Sequence, residues 1–99
     1  MPFKTFAEFY PYYLGEHADP SCRRLHVVGT SGVIALLGAA VVTANPLLLL
    51  AVPLVGYGFA WVGHFFFEHN KPATFQHPLY SLWGDFVMFR DMLSGRIAW

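Results

Sequence analysis

Two long apolar runs lie within residues 27–67, which read VVGTSGVIALLGAAVVTANPLLLLAVPLVGYGFAWVGHFFF. The first run, 27–44, contains no charged residue and would form a helix about 27 Å long, close to the thickness of a bilayer hydrocarbon core. The second run, 47–67, has one charged or imidazole side chain, His64. Asn45-Pro46 between the runs is typical of a turn. The stretch therefore predicts a hairpin of two membrane-spanning helices.

The composition supports a membrane location. Hydrophobic residues make up 56% of the chain and charged residues 12%, which is too apolar for a soluble domain of 99 residues. We therefore expect one membrane-embedded domain over 1–99. Six basic and six acidic residues cancel, so no strong field would recruit a nucleic acid. The one cysteine, Cys22, cannot form an internal disulfide and is expected to be a small buried thiol.

Two shorter helices are expected on either side of the hairpin. Aromatic and other apolar residues recur at three- and four-residue steps from Phe3 to Leu14, which indicates an amphipathic helix at the membrane interface. The polar segment Gly15–Arg24 contains Asp19-Pro20 and predicts a loop. Leu79–Leu93 is apolar and aromatic with one polar side, as in a second shallow helix. The predicted fold is thus all-α: a small membrane protein with a two-helix transmembrane hairpin between two amphipathic helices.

The charges around the hairpin predict its orientation. Arg23, Arg24 and Lys71 flank the open end, whereas the turn carries no basic residue. Because cytoplasmic loops are enriched in lysine and arginine, we expect both termini in the cytoplasm. Tryptophans are suited to anchor the chain at that interface, namely Trp61, Trp83 and Trp99.

Small residues predict a close contact between the two spanning helices. Gly56, Ala60 and Gly63 share one face of the second helix, and Gly29 follows His26 by three residues on the first. Such residues let helix backbones approach closely. Pro53 removes one backbone hydrogen bond and is expected to kink the second helix without ending it.

The histidines all lie at or beyond the open end of the predicted hairpin. His26 precedes Asn45 by nineteen residues and His64 follows it by nineteen, so an antiparallel pair places both imidazoles at the same depth. His17 lies nine residues before His26 across the predicted loop and can fold back toward it. The three side chains are candidates for ligands of one metal ion.

Three further residues near that end are weaker candidates. Glu68 follows His64 by four residues, one α-helical turn, so its carboxylate can share a ligand with the imidazole or orient it. His69 lies about 140° around the helix from His64 and reaches the same ion only if the helix ends there. His77 precedes Pro78 in a loop and is as consistent with a surface position as with ligation. Imidazole ligands suit zinc, iron, copper and nickel alike.

Several segments of the chain resemble the membrane 2-hydroxy fatty acid dioxygenase family. The similar residues are Glu16-His17-Ala-Asp-Pro20, Arg23-Arg24-Leu25-His26-Val-Val-Gly29-Thr30, Gly63-His64-Phe-Phe-Phe67-Glu68 and Lys71-Pro72-Ala73. The resemblance covers nearly the whole chain. It differs at Cys22, where many relatives carry asparagine, and at Glu68-His69, where others carry a basic residue.

The resemblance implies an activity and a site. Members of the family use iron(II) and O2 to convert a 2-hydroxy fatty acid into an acid one carbon shorter, the reaction of fatty acid α-oxidation. It implies His17, His26 and His64 as iron ligands or their close support, with Glu68 beside them in the catalytic site and His69 as a further candidate ligand. Membrane lipid and a second copy of the chain are the other partners expected.

Two other functions fit the same sequence. The hairpin suits a non-enzymatic membrane module in which the histidines only form hydrogen bonds at the interface. It also suits a haem or metal carrier in which His26 and His64 are axial or transport ligands. Bound iron and oxygen uptake with 2-hydroxy fatty acids distinguish the dioxygenase from both.

Overall fold

The computed structural model describes residues 3–99, and among them it contains helices and no strand, which confirms the predicted all-α class. The four α-helices are α1 (Phe6–Glu16), α2 (Pro20–Val42), α3 (Ala51–Val62) and α4 (Pro78–Leu93). A 3₁₀ turn (Pro46–Leu50) leads into α3, a π-helical turn (Gly63–Glu68) continues it, and a second 3₁₀ turn (Ala73–Phe75) precedes α4. Two segments, Pro20–Val42 and Pro46–Glu68, are each 23 residues long and apolar enough to cross a bilayer.

Helix α2 begins earlier than predicted. The Asp19 carboxylate accepts hydrogen bonds from the backbone N–H groups of Ser21 at 2.8 Å and Cys22 at 3.3 Å, and Pro20 occupies the first helical position. The predicted loop over Gly15–Arg24 was therefore wrong in extent, because α1 reaches Glu16 and only the three residues 17–19 connect the helices. Aspartate followed by proline is typical of turns, but the same pair also favours a helix start.

The second apolar segment is continuous but is wound in three ways. Its 3₁₀ start is capped by the Asn45 side chain, which accepts from the N–H of Leu47 at 3.1 Å. Pro53 lies in the first turn of α3, where a residue without an N–H group is tolerated best. At the other end the π turn stops at His69, whose φ of 59° is left-handed. No pattern in the sequence indicates this π turn.

Glycine contacts hold the two long helices close together, as predicted. A Cβ atom added at Gly29 would stand 3.0 Å from Phe59 Cβ, and one at Gly63 would stand 2.9 Å from Cys22 Sγ. Real Cβ atoms rarely approach other atoms so closely, so each position excludes a larger side chain. The contact between Gly63 and Cys22 fixes the spacing of the helices just where His26 and His64 lie.

The packed core lies at the histidine end of the hairpin. Helix α1 packs against α4, and α4 packs against α2. The core residues are Phe9, Tyr13, Val27, Ala73, Met88 and Met92. Gly84 of α4 receives the Tyr13 ring, which would stand 2.9 Å from an added Cβ. These contacts place α1 and α4 around the open end, whereas none of the residues Pro46–Leu50 at the turn end is buried.

The predicted tryptophan anchors are partly exposed, at 39% for Trp61, 54% for Trp83 and 55% for Trp99. The Trp83 ring stacks on Phe6 with ring centroids 4.2 Å apart, which joins α4 to α1. The Trp99 backbone carbonyl accepts from Arg24 Nε at 2.8 Å, and the Arg24 guanidinium lies 5.5 Å from the Trp99 ring. Arg24 thus ties the C-terminal residue to the start of α2.

Candidate metal centre

Three imidazole rings from three segments of the chain meet at one point. The Nε2 atom of His17 lies 3.1 Å from Nε2 of His26 and 2.9 Å from Nε2 of His64. The ligand atoms of the three residues all lie within 4.8 Å of one another. His17 comes from the α1–α2 connection, His26 from α2 and His64 from the π turn.

The opposite nitrogen of two rings is fixed by the preceding helical turn. Nδ1 of His17 donates to the backbone carbonyl of Tyr13 at 2.6 Å, and Nδ1 of His26 donates to that of Cys22 at 2.8 Å. A carbonyl oxygen carries no proton, so each Nδ1 holds the ring hydrogen. In the neutral form of both rings Nε2 then carries the free lone pair, and Nε2 is the atom left to bind an ion.

The third ring is oriented by an amide from a more distant segment. His64 Nδ1 lies 2.7 Å from Asn70 Oδ1. Asn70 Nδ2 donates to the Glu16 backbone carbonyl at 3.0 Å and to its carboxylate at 2.7 Å. Because the two acceptors of Glu16 fix the amide orientation, Oδ1 faces the imidazole and accepts the Nδ1 hydrogen of His64. The network joins the end of α1 to the segment after the π turn.

Together these bonds direct three Nε2 lone pairs toward a common centre. Without a cation or a proton the lone pairs repel one another, so the arrangement is suited to hold a positive ion. Two nitrogens that bind one ion at about 2.1 Å and at right angles stand about 3.0 Å apart, which matches the observed separations. Carbonyl and amide partners on the opposite nitrogen are the usual way in which proteins orient metal-binding histidines.

The three histidines of the cluster are buried, and burial favours the neutral form of an imidazole. The exposed fractions are 2% for His17, 4% for His26 and 1% for His64. Burial lowers the pKa of His17 well below its usual value, and the nearby rings of His26 and His64 lower it further. His17 is therefore neutral at physiological pH, which is the form that binds metals.

The structure places Glu68 and His69 outside this cluster. The Glu68 carboxylate accepts a hydrogen bond from the backbone N–H of Asp19 and so fastens the π turn to the α1–α2 connection. His69 is exposed to solvent. The four-residue spacing predicts a shared face only for an α-helix, and the segment between His64 and Glu68 is wound as a π-helix. His77 is buried at 7% exposure among aromatic rings, 5.5 Å from the Phe9 ring centroid, and is also outside the cluster.

A tyrosine and an aspartate that sequence reasoning did not select lie next to the cluster. The Tyr13 ring stacks on His17 with ring centroids 3.9 Å apart and planes inclined by 24°. Its hydroxyl donates to the Asp85 carboxylate on α4. Burial raises the pKa of Asp85 to about 7, against the opposing effect of the Tyr13 hydrogen bond. The pair connects His17 to α4.

An apolar cavity of about 340 Å³ starts beside the cluster. It lies between α2, α3 and α4, with His26, Thr30 and Asp85 at its polar end and Leu37, Val52 and Pro53 among its apolar lining. Leu37 is eleven residues beyond His26 on α2, so the cavity extends along about 16 Å of that helix. A second cavity of about 20 Å³ touches all three histidines and shares His26 and Asp85 with the first.

The sequence predicted the three histidines as candidate metal ligands, but it did not predict the residues that orient them. Asn70 and Glu16 lie 54 positions apart, so no local pattern connects them. One local signal was present. His17 and His26 each follow, by four residues, the residue whose backbone carbonyl accepts the hydrogen bond from their Nδ1, namely Tyr13 and Cys22. Asp85 and Ser81 are also four residues apart on α4, but polar residues on an amphipathic helix are usually solvated.

Comparison with known proteins identifies the family. A family model described as 2-hydroxy-palmitic acid dioxygenase Mpo1-like matches residues 3–97, and the chain therefore belongs to this family. Searches of curated proteins and of solved structures returned no match. The family assignment thus agrees with the resemblance found in the sequence segments that contain His17, His26 and His64.

Proposed function

We propose that this member of the Mpo1-like family is an iron(II)-dependent dioxygenase that converts a 2-hydroxy fatty acid into an acid one carbon shorter. The observation that carries the proposal is the convergence of the three histidine Nε2 atoms, with separations of 2.9 Å and 3.1 Å about His17. The family name adds the substrate class and the use of dioxygen.

The residues that would hold the iron are His17, His26 and His64. Ferrous iron bound there would supply the coordination and activation of dioxygen. Three protein ligands on one ion leave positions for other ligands. Tyr13, Cys22 and Asn70 hold the rings through hydrogen bonds to Nδ1, so the ligand atoms are positioned before the ion arrives.

The large cavity suits the acyl chain of such a substrate. Its polar end adjoins His26 and its remaining lining is mostly apolar, which matches an amphiphile with its head at the metal. Each methylene that leaves water for an apolar lining contributes roughly 0.8 kcal/mol. Gly56 and Ala60, which line it on α3, keep it open because they have little or no side chain.

The same arrangement suits a membrane boundary. The two 23-residue apolar segments are long enough to span a bilayer, and the cluster lies near the ends of both. A fatty acid dissolved in one leaflet could then enter the cavity while its carboxylate stays near the aqueous edge. We propose that this edge and both termini lie in the cytoplasm; the distribution of Arg23, Arg24 and Lys71 supports this orientation.

The geometry does not favour the haem alternative. Two axial histidines bind haem iron from opposite faces of the porphyrin. Here the His17 nitrogen lies within 3.1 Å of the corresponding nitrogens of His26 and His64. A porphyrin plane between the latter two rings would collide with His17.

The test is iron binding and oxygen uptake in detergent-solubilised protein. Wild-type protein reconstituted anaerobically with iron(II) should bind one iron per chain and consume O2 with 2-hydroxypalmitate, releasing the acid shorter by one carbon. His26→Ala and His64→Ala should lose at least tenfold in iron affinity. His69→Ala is the matched control, because this exposed histidine lies five residues from His64 but outside the cluster.

The outcomes separate the competing functions. Iron bound without oxygen uptake would favour a metal carrier, and no iron in any preparation would favour a non-enzymatic membrane module. Unchanged iron content and turnover in both cluster variants would remove these histidines from the site. A loss in His69→Ala equal to that in His64→Ala would restore His69 to the ligand set that the sequence suggested.

A further inference from the structure

Ser81 on α4 is a buried hydroxyl without a partner. It is 4% exposed, and its Oγ has no hydrogen-bond partner among residues 3–99. A buried polar group of this kind costs free energy unless a ligand or a water satisfies it. The residue lines the cavity of about 20 Å³ that also touches His17, His26 and His64.

Asp85 lies one helical turn further along α4 and lines the same cavity. One carboxylate oxygen, Oδ1, accepts from the Tyr13 hydroxyl. The other oxygen has no hydrogen-bond partner within the described part of the chain. A donor at Ser81 and an acceptor at Asp85 therefore face one small space beside the three metal-binding nitrogens.

The size of this space limits what it can contain. A volume of about 20 Å³ is enough for one oxygen atom of the size of a water molecule, not for a carboxylate or a chain. Asp85 also belongs to the lining of the large apolar cavity, as does His26. A substrate whose chain occupies the large cavity would thus bring one polar substituent near its head into the small one.

A second tyrosine–aspartate pair between the same helices provides a comparison. The Tyr10 hydroxyl donates to Asp91 Oδ2 at 2.8 Å, and Arg90 Nη2 bonds to Asp91 Oδ1 at 3.1 Å. Both oxygens of Asp91 therefore have partners, and Asp91 does not line either cavity at the cluster. Of the two tyrosine–aspartate pairs, only that of Asp85 has a free carboxylate oxygen within residues 3–99, and it lines the small cavity together with Ser81.

We infer that Ser81 and Asp85 form the site that recognises the 2-hydroxyl group of the substrate, with Ser81 donating a hydrogen bond to its oxygen and Asp85 accepting one from it. The inference rests on the proposed function and names the residues that select a hydroxylated over an unsubstituted fatty acid. A site built to bind a hydroxyl discriminates strongly against an analogue without it, because its own polar groups then stay unpaired.

The test compares the dissociation constants of 2-hydroxypalmitate and palmitate for iron-loaded protein under anaerobic conditions. Wild type should prefer the hydroxylated acid by at least about tenfold, and Ser81→Ala and Asp85→Asn should each reduce that preference about tenfold. Asp91→Asn should keep the wild-type ratio. Asp85→Asn retains an acceptor for Tyr13, and if it does not fold, Ser81→Ala alone decides the question.

Other results would overturn the inference. An unchanged ratio in both variants, or no preference in wild type that binds iron and fatty acid, would show that these residues do not recognise the hydroxyl while leaving the dioxygenase proposal intact. An unchanged ratio together with a raised KM for O2 would assign the small cavity to dioxygen instead. If wild type fails to bind iron or any fatty acid, the proposed function itself fails.

Discussion

The two ends of the helical hairpin are built in opposite ways. At the histidine end, side-chain hydrogen bonds connect residues far apart in the chain, such as Asn70 with Glu16 and His64 with His17. At the turn end, the polar side chains bond only to near neighbours: Thr43 donates to the Ala39 carbonyl at 2.6 Å, and Asn45 accepts from Leu47 at 3.1 Å. The apolar residues there are exposed, at 85% for Val42 and 77% for Leu54.

The difference shows where the structure must be fixed and where it need only be apolar. In the proposed membrane location, leucine and valine side chains at the turn end face lipid and need no particular partner, so this end tolerates loose packing. In the proposed metal centre three ligands must converge within a few tenths of an ångström, so the histidine end depends on defined hydrogen bonds and close contacts. Substitutions of the same residue type at the two ends should therefore have unequal effects.

The largest difference is expected in iron affinity, between alanine substitutions of Asn70 at the histidine end and Asn45 at the turn end. Asn70→Ala removes the acceptor that orients His64, and iron affinity should fall about 10- to 100-fold. Asn45→Ala removes only a helix cap at the turn and should leave iron affinity unchanged. Anaerobic iron titration of both variants measures this, and equal affinities would show that the amide does not position His64.

A smaller difference is expected in thermal stability, between alanine substitutions of two glycines in the apolar helices. Gly63→Ala places a Cβ 2.9 Å from Cys22 Sγ, and overpacking of this kind costs about 1–3 kcal/mol. An added Cβ at Gly38 meets no atom within 4 Å, so Gly38→Ala should be nearly neutral. Thermal unfolding in detergent micelles compares the two midpoints. A midpoint for Gly63→Ala equal to that of Gly38→Ala would mean that the helices are not held closely at the cluster.

The smallest effect is expected in the pH dependence of the stability of the metal-free protein. Because burial lowers the pKa of His17, the unfolded chain binds more protons below about pH 6.5 than the folded one does. The stability due to neutral His17 is present above that pH and is lost as the pH falls toward the lowered pKa. Wild type should therefore lose more thermal stability on acidification than His17→Gln, by at most about 1.4 kcal/mol per pH unit.

Two features make this pH measurement specific. The raised pKa of Asp85 changes stability with pH in the opposite direction, since its contribution to stability is lost as the pH rises toward 7. This contribution is present in both wild type and His17→Gln and therefore cancels in the difference between them. His69→Gln, at an exposed position, should retain the wild-type pH dependence. Parallel curves for wild type and His17→Gln would show that His17 is not held neutral by burial.

Much of the fold was predictable from residues 27–67. Apolar length and the Asn45-Pro46 turn predict the hairpin, and the small residues at 29, 56, 60 and 63 predict its close packing. The extent of the loop before α2 was not predictable, because Asp19-Pro20 favours a turn and a helix start equally. The π turn depends on contacts with α2 and with residue 19, which lie too far away in sequence to leave a local pattern.

The candidate site, like the fold, was predictable from the sequence only in part. Equal spacing from the turn predicted that His26 and His64 lie at the same depth, on the assumption of a uniform rise of about 1.5 Å per residue. The second segment departs from that rise in its 3₁₀ and π turns, yet the two ring centroids lie 5.0 Å apart. The choice of the nitrogens that meet depends on the tertiary structure, since Asn70 and Glu16 orient His64 from separate segments of the chain. Their effect depends on hydrogen-bond distances and angles, and these arise only when the packing of four helices fixes the segments in space.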